Sequence, residues 1–531
     1  MADDRLFPIR RECDLAALAI GLGAEEAGPL TVVEKLVAVH AAPIDARVVA
    51  MVRSRIRQGH DPLGEAFCTL RDAPSRRRVG ATYTPDSIVA SMVAWARRSS
   101  SPARVVDIGS GSGRFAVAAG KAFRKAALVA VEIDPLAALL TRAHLAVSRL
   151  AGRSTVLLAD YRDAPLPSVD GATLFIGNPP YVRHHGIEPR WKRWLTESAN
   201  DAGFAASQLG GLHVHFFVRT LQLAKKGDVG VLITAAEWLD VNYGQLVRDL
   251  FVHRLGGKSI HFIEPGVSPF PDAQTTAVII AFAVGSSSPT IRMKRVQSVA
   301  ELGALGGGKL IQRERLEAAA RWGPLFRPSR KRPEGLVELG EICSVHRGAV
   351  TGANRVWIAG EHSEGLPESV LFASVTKGRE LIAAGATLDD DSALRRVIDL
   401  PPDLDVFDAA ERRRIEAFLK RARSMGGDRG FIAGHRRAWW SVGLREPAPI
   451  LATYMARRPP AFVRNLAGAR HINIAHGLYP RETMTAAALN ALAAHLAQSV
   501  SVSEGRTYAG GLTKFEPREM ERLLVPIPAS R

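Results

Sequence analysis

An α/β fold is predicted for this 531-residue chain by three observations. Short β-branched runs alternate with Ala- and Leu-rich stretches between about residues 100 and 285, the first run leads into a glycine-rich turn, and three successive runs end in an acidic residue. Such alternation builds an open, mostly parallel sheet flanked by helices, and ligands sit beyond the carboxyl ends of its strands.

The first run, Arg104-Val105-Val106-Asp107-Ile108, opens into Gly109-Ser110-Gly111-Ser112-Gly113 and then a helical stretch over residues 114–123. Strand, glycine turn and helix in that order bring backbone N–H groups and a helix N-terminus close to a ligand. The spacing is GxGxG, not the GxGxxG of a dinucleotide fingerprint, so the glycines alone do not indicate NAD. The second run, residues 127–131, ends in Glu132, about where an acidic residue would hold a ribose diol. The third, residues 155–158, leads to Asp160. Carboxylates beside a sheet are costly unless something satisfies them, so Asp107, Glu132 and Asp160 point to a ligand with hydroxyl and amino donors.

A fourth apolar run, Thr173-Leu174-Phe175-Ile176, precedes Asn178-Pro179-Pro180-Tyr181. The prolines lack N–H groups and fix φ, which stiffens the turn and leaves the Asn178 amide and its neighbouring carbonyl facing out of the strand end. Two acceptors beside an aromatic ring suit a flat, amine-bearing group such as a nucleobase outside its helix. Residues 229–234 read as another central strand, and residues 277–282 as a further one.

Lys and Arg number 70 against 53 Asp and Glu, a net charge of +17 that points to an anionic partner. Residues 412–481 hold 15 basic residues against the acids Glu416, Asp428 and Glu446. Interleaved aromatics tilt this segment toward nucleic acid, with Arg412, Arg413, Arg414, Arg436, Arg437, Trp439 and Trp440 as candidate contacts. Cys13, Cys68 and Cys343 have no paired spacing; they imply neither a disulfide framework nor a zinc site and fit a reducing cytoplasm. No metal is implied by the chemistry. The first residues are acidic, and no uncharged apolar run approaches the ~20 residues of a membrane span.

Punctuation suggests four segments: a helical extension over residues 1–75 with no assignable function, an α/β domain over 76–300, a linker over 301–335 rich in Gly, Pro and basic residues, and a C-terminal domain over 336–531. Some residues invite a dull interpretation. His184-His185 form a loop lip, His213 and His215 pack or sit at the surface, and Glu237-Trp238 belong to a loop rather than to acid catalysis.

Glycine loop, acidic strand ends and Asn-Pro-Pro-Tyr in this order resemble the S-adenosylmethionine-dependent DNA amino-methyltransferases, specifically the group similar to the TaqI and Eco57I adenine-N6 enzymes. Gly80-Ala81-Thr82-Tyr83-Thr84-Pro85 ahead of the loop and Phe270-Pro271 ahead of residues 277–282 fall in that family's order. The glycine-rich segments 345–354 and 510–515 look like its recognition region. One departure is that Ile108 and Ser110 stand where the family often has Pro and Cys.

The resemblance implies a Rossmann-like seven-stranded methyltransferase sheet and a C-terminal α+β domain that recognises double-stranded DNA. It implies that Thr82, Thr84 and Pro85 line the methionine end of S-adenosyl-L-methionine, while Asp107, Gly109, Gly111, Gly113, Glu132 and Asp160 hold the rest. Asn178 and the Pro179 carbonyl would accept hydrogen bonds from the target amine, with Pro180 stiffening the corner and Tyr181 and Phe270 enclosing the flipped base. Cytosine N4, an rRNA base and a protein glutamine remain alternative acceptors, as does a non-catalytic DNA-binding subunit. No Asp-x-Lys or Glu-x-Lys triplet of the common magnesium nucleases occurs, so modification without cleavage is expected, and any restriction endonuclease partner would be a separate polypeptide.

Overall fold

A central sheet runs through the first part of the computed structural model, which describes residues 9–72, 75–76, 83–264, 276–326, 333–508 and 512–526. Thr82 and Phe270 lie outside the described residues. The strands are β1 (Arg104–Ile108), β2 (Ala127–Glu132), β3 (Ser154–Leu158), β4 (Thr173–Gly177), β5 (Val229–Ala235), β6 (Gly257–Ile263), β7 (Ala277–Ala283), β8 (Thr290–Val296) and β9 (Lys309–Gln312). Their order is β3-β2-β1-β4-β5-β7-β6-β8-β9. Strands β3 to β5 pair in parallel, and β7 runs antiparallel between β5 and β6.

The seven expected strands are thus extended by two. β8 pairs in parallel with β6, and β9 closes the edge antiparallel to β8. Residues 309–326 are therefore not linker: Ile311, Leu316 and Trp322 are buried in the core of this region. The glycines that suggested a linker turn the chain back onto the sheet, with Gly307 and Gly308 at φ +74° and +81°.

Strand order changes direction between β1 and β4, the switch point where open α/β sheets bind ligands. Asp107 on β1 pairs in register with Ile176 on β4, so the glycine turn and the diproline corner, far apart in sequence, leave the sheet side by side. Both strands are buried throughout, as expected of central parallel strands.

Nine helices concern the site: α1 (Glu12–Gly21), α2 (Val32–Val37), α3 (Ala46–Arg57), α4 (Pro62–Leu70), α5 (Asp86–Ser99), α6 (Arg114–Ala122), α7 (Pro135–Val147), α8 (Pro189–Asp201) and α9 (Leu212–Leu223). Alternation along β1 sends Val105 into a core with Ile88 and Met92 of α5 and Phe115 of α6; Val106 enters the opposite core with Leu195 of α8 and Phe217 of α9. α7 starts where Asp134 caps the Leu136 and Ala137 N–H groups ahead of Pro135. Its Ala138 and Leu145 face the sheet, while Leu136, Leu139 and Leu140 pack with Leu15, Leu18, Leu63 and Phe67 of the N-terminal helices. A buried Arg142–Glu34 ion pair at 2.7 Å fastens the same contact. The N-terminal helices consequently belong to the same compact unit as the sheet, which extends to residue 328.

The second unit, from residue 329 onward apart from 509–511, is α+β. A five-stranded sheet joins Cys343–Arg347, Ala475–Pro480, Ile450–Thr453, Phe462–Asn465 and Thr387–Leu388, in that order. Helix Ala486–Ser499 covers it through Leu489, Leu492 and Leu496. A separate core gathers Trp357, Val397, Ile415 and Phe418 around helix Ala409–Ser424. Among the described residues no helix is long and apolar enough to cross a membrane.

Candidate active site

A cavity of about 520 Å³ opens beyond the carboxyl ends of β1 to β4, within the ~300–1,000 Å³ usual for small-molecule sites. Gly109 and Gly111 line one side with φ of +79° and +57°, conformations that a residue bearing a side chain adopts only under strain. The Gly109 and Ser110 N–H groups both donate to the Val131 carbonyl at 3.0 Å. The turn is thereby tied to β2.

Asn178 and Pro180 line the opposite side. Gly177, at φ +150°, lets the end of β4 press against the Ile108 carbonyl, where a Cβ would sit only 2.9 Å away. A Cβ on Gly109 would lie 3.8 Å from Pro180, and 3.9 Å from both the Asn178 carbonyl and Phe216. The glycine leaves open the space between turn and corner. The Asn178 side-chain nitrogen donates to the Thr84 hydroxyl at 3.1 Å, which orients the amide.

Glu132 closes the loop side. One of its oxygens accepts the Gly111 N–H at 2.8 Å, and the other accepts the Ile133 and Asp134 N–H groups at 2.8 and 2.9 Å. Burial raises this carboxyl above the usual carboxylate range, opposed by those amides. Asp160 goes the other way: burial pushes it up, but hydrogen bonds from the Arg162 side chain and amide outweigh that and hold it below its ordinary value. The Arg162 guanidinium lies 3.8 Å from the centre of the Trp191 ring, and both side chains line the cavity beside Asp160. Val131, Ile133 and Phe216 supply apolar wall.

Several expected site residues stand one layer back. Asp107 is fully buried and does not line the cavity; its carboxylate accepts the Ala116 N–H at 2.8 Å and pins the first turn of α6 to β1. Burial pushes its pKa up to about 8. Gly113 does not line the cavity; it caps the start of α6, and a Cβ on it would lie 3.2 Å from Thr141 of α7. Pro85 is the residue from which α5 starts, its carbonyl accepting the Ile88 and Val89 N–H groups. Pro179 is buried under the corner. Tyr181 does not line this cavity either; burial raises its phenol well above the ordinary value.

Other residues arrive unannounced. Phe67 and Arg71 line the cavity beside Tyr83, so the unassigned extension walls the site. Arg71 pairs with Glu12 at 2.7 Å and with Asp134. Arg114 donates to Asp61 at 2.6 Å and to the Thr84 carbonyl at 2.8 Å. Asp61-Pro62 and Asp134-Pro135 are helix-start signals readable in sequence. Their convergence on one cavity is a tertiary fact that no local pattern carries.

The histidines of α9 are core residues, pushed down by burial to about 4 for His213 and about 3 for His215, and His215 stacks on Trp194. Glu237 accepts the Tyr243 hydroxyl at 3.0 Å. Among the described residues no group of three His, Cys, Asp or Glu is placed to hold a metal ion.

In the second unit, Arg412, Arg413, Arg414 and Arg437 are exposed, with Arg412 already bridged to Asp405 and to Glu416. Arg436, Trp439 and Trp440 are half-buried and make contacts within their own unit. Arg436 donates to the Val350, Thr351 and Trp439 carbonyls. Trp439 packs 6.0 Å from Trp357, and Trp440 donates to the Pro401 carbonyl at 3.0 Å. Carbonyls meet the Arg436 guanidinium and the Trp440 indole N–H, and apolar neighbours meet the Trp439 ring.

Comparison with known proteins agrees with this geometry. Residues 168–264 match the family of the Eco57I restriction-modification methylase, and residues 329–531 match the C-terminal domain of the type II methyltransferase M.Eco57I. The chain is 50% identical over 529 residues to the type II methyltransferase M.XamI of Xanthomonas campestris pv. amaranthicola, covering 98% of each sequence. It is 22% identical to the type II methyltransferase M.AccI of Acinetobacter calcoaceticus over 65% of this chain and 67% of that one. Its fold is similar to that of the type IIL restriction-modification enzyme MmeI, solved in complex with DNA, with a TM-score of 0.56 and 13% identity over 96% of this chain and 79% of that one.

Proposed function

We propose, from the premise that this chain belongs to the type II restriction-modification methyltransferases, that it is a site-specific DNA methyltransferase acting on the N6 amine of an adenine flipped out of duplex DNA. The observation that carries this reading is the meeting of the glycine turn and the Asn178 corner across one cavity, 3.9 Å from the Gly109 Cβ position to the Asn178 carbonyl.

The cavity fits S-adenosyl-L-methionine. Two glycines with positive φ offer backbone rather than side chains, Glu132 sits where hydroxyl donors of a ribose can share its oxygens, and Val131, Ile133 and Phe216 offer a slot for a flat ring beside Asp160. When bound, that cofactor supplies an electrophilic methyl group on sulfur.

The chain's own contribution is alignment. An exocyclic amine on adenine is a weak nucleophile because its lone pair is delocalised into the ring. Hydrogen bonds from its two N–H groups to the Asn178 side-chain oxygen and the Pro179 carbonyl draw the nitrogen toward a tetrahedral shape with the lone pair localised. The hydrogen bond from the Asn178 amide nitrogen to Thr84 supports this use of its oxygen. Fixed geometry in a water-poor pocket can contribute roughly 7–11 kcal/mol to such a step. Tyr181 is the stacking partner we assign to the base, an interaction of about 1–3 kcal/mol.

Asn at position 178 supports adenine over cytosine, since the cytosine-N4 group more often carries Ser there. The second unit is the target-recognition domain in this reading, and any cognate nuclease would be a separate chain. The test is incubation of the purified protein with methyl-labelled S-adenosylmethionine and unmethylated duplex DNA, followed by digestion to nucleosides. Label in N6-methyladenine is expected; label in N4-methylcytosine overturns the base, and label in added RNA or protein overturns the substrate.

A further inference from the structure

We propose that Asp61, in the N-terminal helical segment, is a positioning residue for methyl transfer that acts on Asn178 through Arg114 and Thr84. The inference rests on the reading of Asn178 as the amine acceptor.

Asp61 is buried and does not line the cavity, yet it joins four parts of the site. One carboxylate oxygen caps α4 by accepting the Gly64 N–H at 2.7 Å and lies 3.3 Å from His144 Nε2. The other accepts both the Ser112 hydroxyl and Arg114 Nε at 2.6 Å. His144 in turn holds the Ser112 carbonyl through Nδ1 at 2.8 Å. The glycine loop is therefore gripped on its outer side by this carboxylate.

The same guanidinium reaches onward. Arg114 donates through Nη1 to the Thr84 carbonyl at 2.8 Å, and the Thr84 hydroxyl accepts the Asn178 amide at 3.1 Å. A carboxylate fixes a guanidinium fork bidentately or at its edge, so one end of the fork being held by Asp61 fixes where the other end sets Thr84. Gly64 confirms the crowding: a Cβ there would collide with the Asp61 carboxylate and the Tyr83 ring. Asp61 thus sets the position of the segment before α5 relative to the corner after β4.

The test is a double-mutant cycle on the full chain, read as the single-turnover methylation rate of unmethylated bacterial genomic DNA at saturating S-adenosylmethionine. Asp61→Asn and Thr84→Val are each expected to slow the step by about tenfold, and the double variant by about tenfold as well, because both break one relay. Thr84→Ser, which keeps the hydroxyl, is expected to restore the rate. A double variant slowed by about a hundredfold, or a wild-type rate in Asp61→Asn, overturns the coupling. If Asp61→Asn does not fold, Arg114→Lys carries the same cycle, since it keeps the charge and loses the fork. Asn178→Ala separates the two claims: retained transfer there defeats the Asn178 reading itself, whereas an inactive Asn178→Ala with multiplicative losses in the cycle defeats only the role of Asp61.

Discussion

Glu132 accepts the Gly111 N–H at 2.8 Å, so the carboxylate at the end of β2 shapes the turn that follows β1. Removing it takes away a charged acceptor and the restraint on the turn together. Glu132→Ala is expected to weaken S-adenosylmethionine binding by about 10- to 100-fold, the scale of ~1.5–3 kcal/mol for hydrogen bonds to charged groups. Titration calorimetry reads this directly, and an unchanged affinity would show that the cofactor does not use this carboxylate.

Asp107 links stability to pH. Its folded pKa of about 8 lies above the ordinary carboxyl value, so the unfolded chain gives up the proton first. The stability contributed by the neutral carboxyl is full below about pH 4 and is lost as pH rises through about 8. Asp107→Asn keeps an acceptor for the Ala116 N–H without a proton to lose. Urea unfolding at several pH values should show wild type losing stability relative to this variant between pH 5 and 8. Parallel curves would mean that the buried carboxyl does not titrate in this range.

Gly64 is kept bare by its neighbours. Gly64→Ala places a Cβ against the Asp61 carboxylate and 2.8 Å from the Tyr83 ring. Overpacking of this kind typically destabilises by about 1–3 kcal/mol. A lowered melting temperature with weaker cofactor binding is expected, because Tyr83 lines the cavity. A variant that melts like wild type would place the helix cap away from the site.

Basic residues of the second unit divide into two classes. Neutralising the exposed Arg413, Arg414 and Arg437 should lower the salt dependence of DNA binding, by up to about 0.9 in logarithmic slope for each phosphate that is no longer neutralised. Arg436→Gln should instead lower thermal stability, since its guanidinium serves the Val350 and Thr351 carbonyls. The reverse pattern, with Arg436 changing the slope and the exposed arginines silent, would relocate the DNA.

Much of the site is legible in the sequence because its chemistry sits at strand ends, where a motif and its position coincide. Gly109, Gly111, Glu132, Asp160 and Asn178 all reach the cavity. Asp107 reads as a ligand contact but lies on the strand itself, where alternation directs its side chain under α6. Gly113 and Pro85 belong to the right turns, but serve helix starts. Asp61, Phe67 and Arg71 are illegible as site residues, because their approach is created by α7 packing against both the sheet and the N-terminal helices. Trp439 and Arg436 show the converse limit. Interleaved aromatic and basic letters do not say which of them face inward.

The measurement that bears most directly on the amine-accepting corner is single-turnover methyl transfer by Asn178→Ala with cofactor affinity measured on the same preparation. A loss of transfer of about a thousandfold is expected, with S-adenosylmethionine bound within a few-fold of wild type, a scale comparable to removing one preorganised hydrogen-bonding group from an active site. Transfer within tenfold of wild type would contradict the assignment of the amine to Asn178.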